Sequence, residues 1–109
     1  QIARMLQESF STAQADMQAR AIAEARLDAE RLLLATQTAL DADGDLLDAA
    51  DSASMQVVMQ SVRAVLDSKD AAVIEAATKA LAERTEGFAA MRMNRGIQQA
   101  LAGKNIETI

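Results

Sequence analysis

Four aspartates crowd one short stretch, Asp41, Asp43, Asp45 and Asp48. Their D-x-D-G-D spacing matches the opening of a calcium loop. Such a loop needs glycine at its sixth position and a bidentate glutamate at its twelfth. Here those positions hold Leu46 and Ser52. The acids therefore read as helix-end and N-cap groups. A second set is Glu24, Asp28 and Glu30, of which Glu24 and Asp28 share a helix face. Di-iron bundles pair such carboxylates with Glu-x-x-His motifs. The chain has no histidine, so this set reads as a solvated face.

The cations Arg84, Arg92, Arg95 and Lys104 gather late in the chain. They suit either an acidic partner or the C-terminal end of a helix dipole. Six methionines offer soft, adaptable contact surface. Met55, Met59 and Met91 lie on core-like tracks, whereas Met5 and Met17 do not.

The 109-residue composition excludes more chemistry than it offers. Without Cys or His there is no thiol nucleophile, Ser-His relay, zinc finger or haem ligand. Net charge of −5 and 2% aromatic residues argue against nucleic-acid binding, which uses basic patches and stacking platforms. No run approaches the roughly 18 apolar residues of a membrane span. No catalytic, metal or cofactor residue is assigned, and the chain reads as a helical module, not an enzyme. Residue 1 is Gln, and the polar–apolar alternation after it is unlike a signal peptide. We expect a piece excised from a longer protein.

Roughly a quarter of the residues are Ala, the strongest helix former, and no Pro interrupts them. The fold class is all-α, a three-helix bundle with a long protruding N-terminal arm. A first helix is expected over about 2–10, with the apolar stripe Ile2, Met5, Leu6 and Phe10. Ser11 with Gln14 resembles a capping box and predicts a break. A second helix then runs over about 12–42, supported by the i, i+4 pairs Asp16–Arg20 and Arg26–Glu30. Its large apolar residues are concentrated in the second half, at Leu32, Leu33, Leu34 and Leu40.

A third helix is expected over about 49–66, capped by Asp48, with Asp51 in its first turn. Met55, Val58, Met59, Val62, Val65 and Leu66 form the clearest amphipathic pattern in the chain. A fourth, capped by Asp70, runs over about 71–102 through Ile74, Ala77, Leu81, Phe88, Met91 and Arg95, extended by Ile97 and Leu101. A bend is expected near Asn94–Gly96, and Gly103 reads as a C′ residue. Residues 1–42 form the arm, 43–103 the bundle with the late second helix, and 104–109 a flexible tail. The predicted bundle core is Leu33, Leu40, Met55, Val58, Met59, Val62, Leu66, Ile74, Leu81 and Phe88. The predicted contact surface of the arm is Ile2, Met5, Leu6, Phe10 and Met17. An arm with an uncovered apolar stripe is expected to pack on something outside this chain.

Several segments resemble one family in order and spacing. Gln1-Ile2-Ala3-Arg4-Met5-Leu6 is similar to the E-I-x-x-M start of the C-terminal helical lid in DnaK-type 70-kDa heat-shock chaperones. Ala13-x-Ala15-Asp16 resembles the A-E-x-D that opens the long lid helix of that family. Phe88-Ala89-Ala90-Met91-Arg92-Met93-Asn94 and Gln99-Ala100-Leu101-Ala102-Gly103 are similar to segments of its iron–sulfur-assembly branch, the HscA group. Ala25 to Leu34, and Ala39-Leu40 followed by Leu46-Leu47, also resemble that branch.

The resemblance implies the lid of a substrate-binding domain in an ATP-dependent chaperone. The lid would close over a client-peptide groove in a β-sandwich and slow peptide release. It implies ATP and Mg in an ATPase domain outside this stretch, and a bacterial, cytoplasmic setting. The implied partners are the β-sandwich of the same protein, a scaffold protein of iron–sulfur assembly as client, and a J-type co-chaperone. No nucleic acid or membrane is implied. An acidic latch residue of the family maps to Glu30, while a second, polar latch position maps to Leu34. An Ala-rich helix suits a stiff lever. The isolated chain is expected to self-associate through its arm. A free-standing helical adaptor or coiled-coil protein is the alternative.

Overall fold

The computed structural model describes the backbone of residues 2–107 and the side chains of residues 8–103. It is helical throughout: α1 spans Ile2–Asp43, a 3-10 turn spans Gly44–Leu46, α2 spans Ala49–Val65 and α3 spans Ala71–Glu107. Among the described residues there is no strand.

The break expected at Ser11–Thr12 does not occur, and α1 is one helix of 42 residues. The Thr12 hydroxyl donates to the Glu8 carbonyl at 2.9 Å, one turn back, and caps nothing. Strong helix formers on both sides carry the helix through. The expected Asp16–Arg20 and Arg26–Glu30 pairs do not close among the described residues. Arg26 instead donates from Nε to the Leu66 carbonyl at 2.7 Å, fastening the end of α2 to α1.

At the start of α2, Asp48 accepts from the Asp51 amide at 2.7 Å. At the start of α3, Asp70 accepts from the Ala72 amide at 3.0 Å. Each carboxylate satisfies an otherwise unpaired N–H at a helix start. The far end of α3 differs from expectation. There is no stop at Gly103, the helix continues to Glu107, and no described glycine has a positive φ. A C′ cap needs that left-handed conformation. Residues 104–107, expected beyond the helix, are helical.

The chain runs up, down and up, so α1 and α3 are parallel and α2 is antiparallel to both. The start of α3 lies beside Ile22, and Arg92 lies beside Asp43. Helix α3 packs against both others, while α1 and α2 scarcely meet. The core is one cluster: Ala25, Ala29, Leu33 and Ala39 from α1, Met55, Met59 and Val62 from α2, and Ile74, Leu81 and Phe88 from α3. Leu40, Val58 and Leu66 are part-buried against it. Burying each large side chain contributes about 1.5–3 kcal/mol. The small residues of α1 let α3 approach closely, because interaxial distance follows side-chain size at the contact.

Leu34 and Met91, the latter expected on a core track, face solvent. Leu34 is 70% exposed, because three consecutive leucines cannot all point one way on a helix. Met91 is 43% exposed, and the extension through Ile97 and Leu101 is also exposed. The packed part of α3 ends at Phe88, since α1 ends opposite Arg92 and Arg95 and offers nothing further to cover it.

Candidate functional site on the exposed face of the first helix

Every described side chain from residue 8 to residue 20 is exposed. Within this stretch Phe10 and Met17 are 65% and 69% exposed. The side chains of Ile2, Met5 and Leu6 lie outside the described residues. Further along α1, on the side away from the core, Leu27 and Leu34 are exposed, with Glu30 between them. The 3.6-residue repeat places Leu27, Glu30, Arg31 and Leu34 as neighbours on one face. Glu30 makes no bond within the described part of the chain. Its carboxylate points outward and is available to a cation elsewhere.

The acidic stretch has structural occupations that compete with a metal. Asp43 accepts from Arg92 Nε at 2.8 Å and from Arg95 Nη1 at 3.1 Å. Arg95 also grips both oxygens of Asp45, at 2.9 and 2.7 Å. The hydrogen bond from Arg92 is the main cause that holds the Asp43 carboxyl below its ordinary pKa, with Arg95 adding to it and desolvation opposing. Arg95 does the same for Asp45. Arg84 bonds Ser54 at 2.9 Å and reaches Asp51 at 3.5 Å. These arginines find their acidic partners inside the fold, which sequence spacing did not reveal. Among the described residues, no group of three or more acids, histidines or cysteines converges to hold a metal.

An apolar cleft of about 180 Å³ lies between α1 and α3, floored by Phe88 and edged by Leu32, Ala39 and Arg92. That is smaller than the roughly 300–1,000 Å³ of small-molecule sites. Among the described residues the arrangement offers contact surface, because the outer face of α1 is exposed from residue 8 to Leu34. No described helix is long and apolar enough to cross a membrane.

The family model described as Hsp70 protein matches residues 1–94. The chain belongs to the Hsp70 family. Similar Hsp70-family relatives include the chaperone protein HscA homolog of Acidovorax sp. (strain JS42), 63% identical over 110 residues. That of Delftia acidovorans is 60% identical over 109 residues. In both cases the match covers 100% of this chain and 18% of the relative. The homolog of Burkholderia thailandensis is 55% identical over 108 residues, covering 99% of this chain and 17% of its own length. The chain thus spans under a fifth of the Hsp70-family proteins it matches.

Proposed function

We propose that this chain is the helical lid of an HscA-type Hsp70 chaperone, closing over a client-peptide groove and slowing peptide release. The observation that carries the reading is the bare face of α1, in a chain similar over its whole length to proteins named HscA homologs. A lid needs a stiff lever, and one uninterrupted 42-residue helix supplies it. It needs an anchor at one end, and late α1 with α2 and α3 forms a compact core there. It must also open, so moderate apolar and ionic contacts suit it better than a large greasy interface.

In this reading Phe10 and Met17, with Ile2, Met5 and Leu6, rest on the β-sandwich of the same protein. Glu30 latches the closed lid to a basic group of that sandwich. Leu34, one turn beyond, adds an apolar contact where the family pattern has a polar latch. The chain's own part is mechanical, with no catalytic residue. ATP and Mg act in the separate ATPase domain, a J-type co-chaperone presents the client, and the client is the scaffold protein of iron–sulfur assembly. The setting is the bacterial cytoplasm.

The test is Glu30→Ala in the full-length protein, with the release of a fluorescein-labelled scaffold peptide followed by anisotropy. Loss of the latch speeds release several-fold, and the effect shrinks at high salt as the wild-type ion pair is screened. An unchanged release rate at low salt discards Glu30 as the latch.

A further inference from the structure

The large apolar side chains left exposed on α1 follow one line. Phe10, Met17, Leu27 and Leu34 are 65%, 69%, 45% and 70% exposed. They stand seven, ten and seven residues apart. Those intervals are steps of a single alternating 3–4 repeat, the seam of a left-handed coiled coil. The seam positions between them are Ala13, Arg20, Glu24 and Arg31, all exposed. Along the bundle the seam lies opposite Ala25, Ala29 and Leu33, which face the core. Among the described residues nothing covers it.

The seam is self-complementary about residue 22. In an antiparallel pair, each a position faces a d position of the other helix. Phe10 then faces Leu34 of the second copy, Met17 faces Leu27, and Arg20 faces Glu24, each contact occurring twice about the dyad. A parallel pair would instead set Arg20 against Arg20 and Glu24 against Glu24, which is repulsive. Charge therefore selects both the occupant and its direction.

We propose that α1 pairs antiparallel with α1 of a second copy of this chain, forming a two-fold dimer centred near residue 22. Two apolar contacts flank the crossed Arg20–Glu24 pairs on each side. Arg31 reaches Asp16 of the second copy and offsets the approach of Asp16 to Glu30. The arm of each copy lies along the outer face of the other's bundle. The inference concerns the chain with this face uncovered: in the lid reading Phe10, Met17 and Leu34 rest on the β-sandwich, so the dimer and the closed lid exclude each other.

The 109-residue chain, which carries its own core, is tested by sedimentation equilibrium. Wild type is expected to dimerise at micromolar concentration. Arg20→Glu and Glu24→Arg each weaken the dimer at least about tenfold. An equimolar mixture of the two variants regains it, because each supplies the sign the other lacks. Leu27→Glu weakens it in every combination, and circular dichroism stays unchanged because all three residues are exposed. The chain has no cysteine, so introduced thiols report the register. Ala13→Cys mixed with Arg31→Cys cross-links through a short bis-maleimide, and Ala13→Cys alone does not. A wild-type monomer at high micromolar concentration overturns the proposal. So does a dimer indifferent to the charge reversals, as one formed through the exposed Met93 and Ile97 of α3 would be, or self-cross-linking of Ala13→Cys.

Discussion

Asp43 lies within hydrogen-bond reach of two guanidinium groups, and Arg95 holds Asp45 by both oxygens. This knot joins the end of α1 and the 3-10 turn to α3. Both carboxyls are held below their ordinary pKa, Asp43 chiefly by Arg92 and Asp45 chiefly by Arg95. A carboxyl with a lowered folded pKa contributes stability above its unfolded value, about 3.9 for Asp, and loses it as pH falls through the folded value. Arg95→Met is expected to raise the pKa of both aspartates, Asp45 more, as read from carboxyl carbon shifts in an NMR titration. Unmoved titrations would contradict the knot. In the core, Ile74 is fully buried. Ile74→Ala is expected to cost about 2–5 kcal/mol in urea unfolding. Val57→Ala, at a site 66% exposed, is expected to change stability by less than about 0.5 kcal/mol. The spacing of Met55, Met59 and Val62 is legible because large apolar residues repeat at i, i+4 and i+7. Ala25, Ala29 and Ala39 were not legible, since alanine is as common outside the core as in it. Thr36 escaped notice because its hydroxyl is satisfied locally, donating to the Leu32 carbonyl at 2.7 Å, which permits a polar residue inside.

At the scale of elements, helical composition and the Asp48 and Asp70 caps were readable, because capping chemistry is local. Continuity was less so. Ser11 and Thr12 carry the right atoms for a cap, but a cap also needs an extended backbone there, and helix formers on either side hold it helical. The end of the packed part of α3 was also hidden, because it depends on where α1 stops. The glycines of α3 separate packing from propensity. A Cβ added at Gly87 or Gly96 meets nothing within 4 Å. Gly87 lies beside buried Phe88, so Gly87→Ala is expected to stabilise the whole fold by about 0.5–1 kcal/mol. Gly96 lies beyond the last core residue. Gly96→Ala is expected to raise ellipticity at 222 nm without moving the urea midpoint. Equal midpoint shifts for both would mean that α3 is cooperative with the core to its far end.

At the scale of the whole molecule, the shape is a rod of 84 × 33 × 16 Å with a radius of gyration of 21.2 Å. A compact domain of this length would have about 13 Å. The excess comes from single helices extending past the packed layer at opposite ends, α1 at one and α3 at the other. Such a shape presents surface and encloses little. The exposure of Phe10 and Met17 was legible from sequence. The matching acid and base at the centre of the outer seam were not, because Arg20 and Glu24 acquire meaning only once α1 is a single continuous helix. The most direct test of the lid account is the release rate of a fluorescein-labelled scaffold peptide from the full-length protein, with and without the segment corresponding to residues 1–109. The account predicts that peptide still binds after the deletion and leaves at least about tenfold faster, since such differences fall mainly on dissociation. Release at the same rate with and without the segment would contradict it.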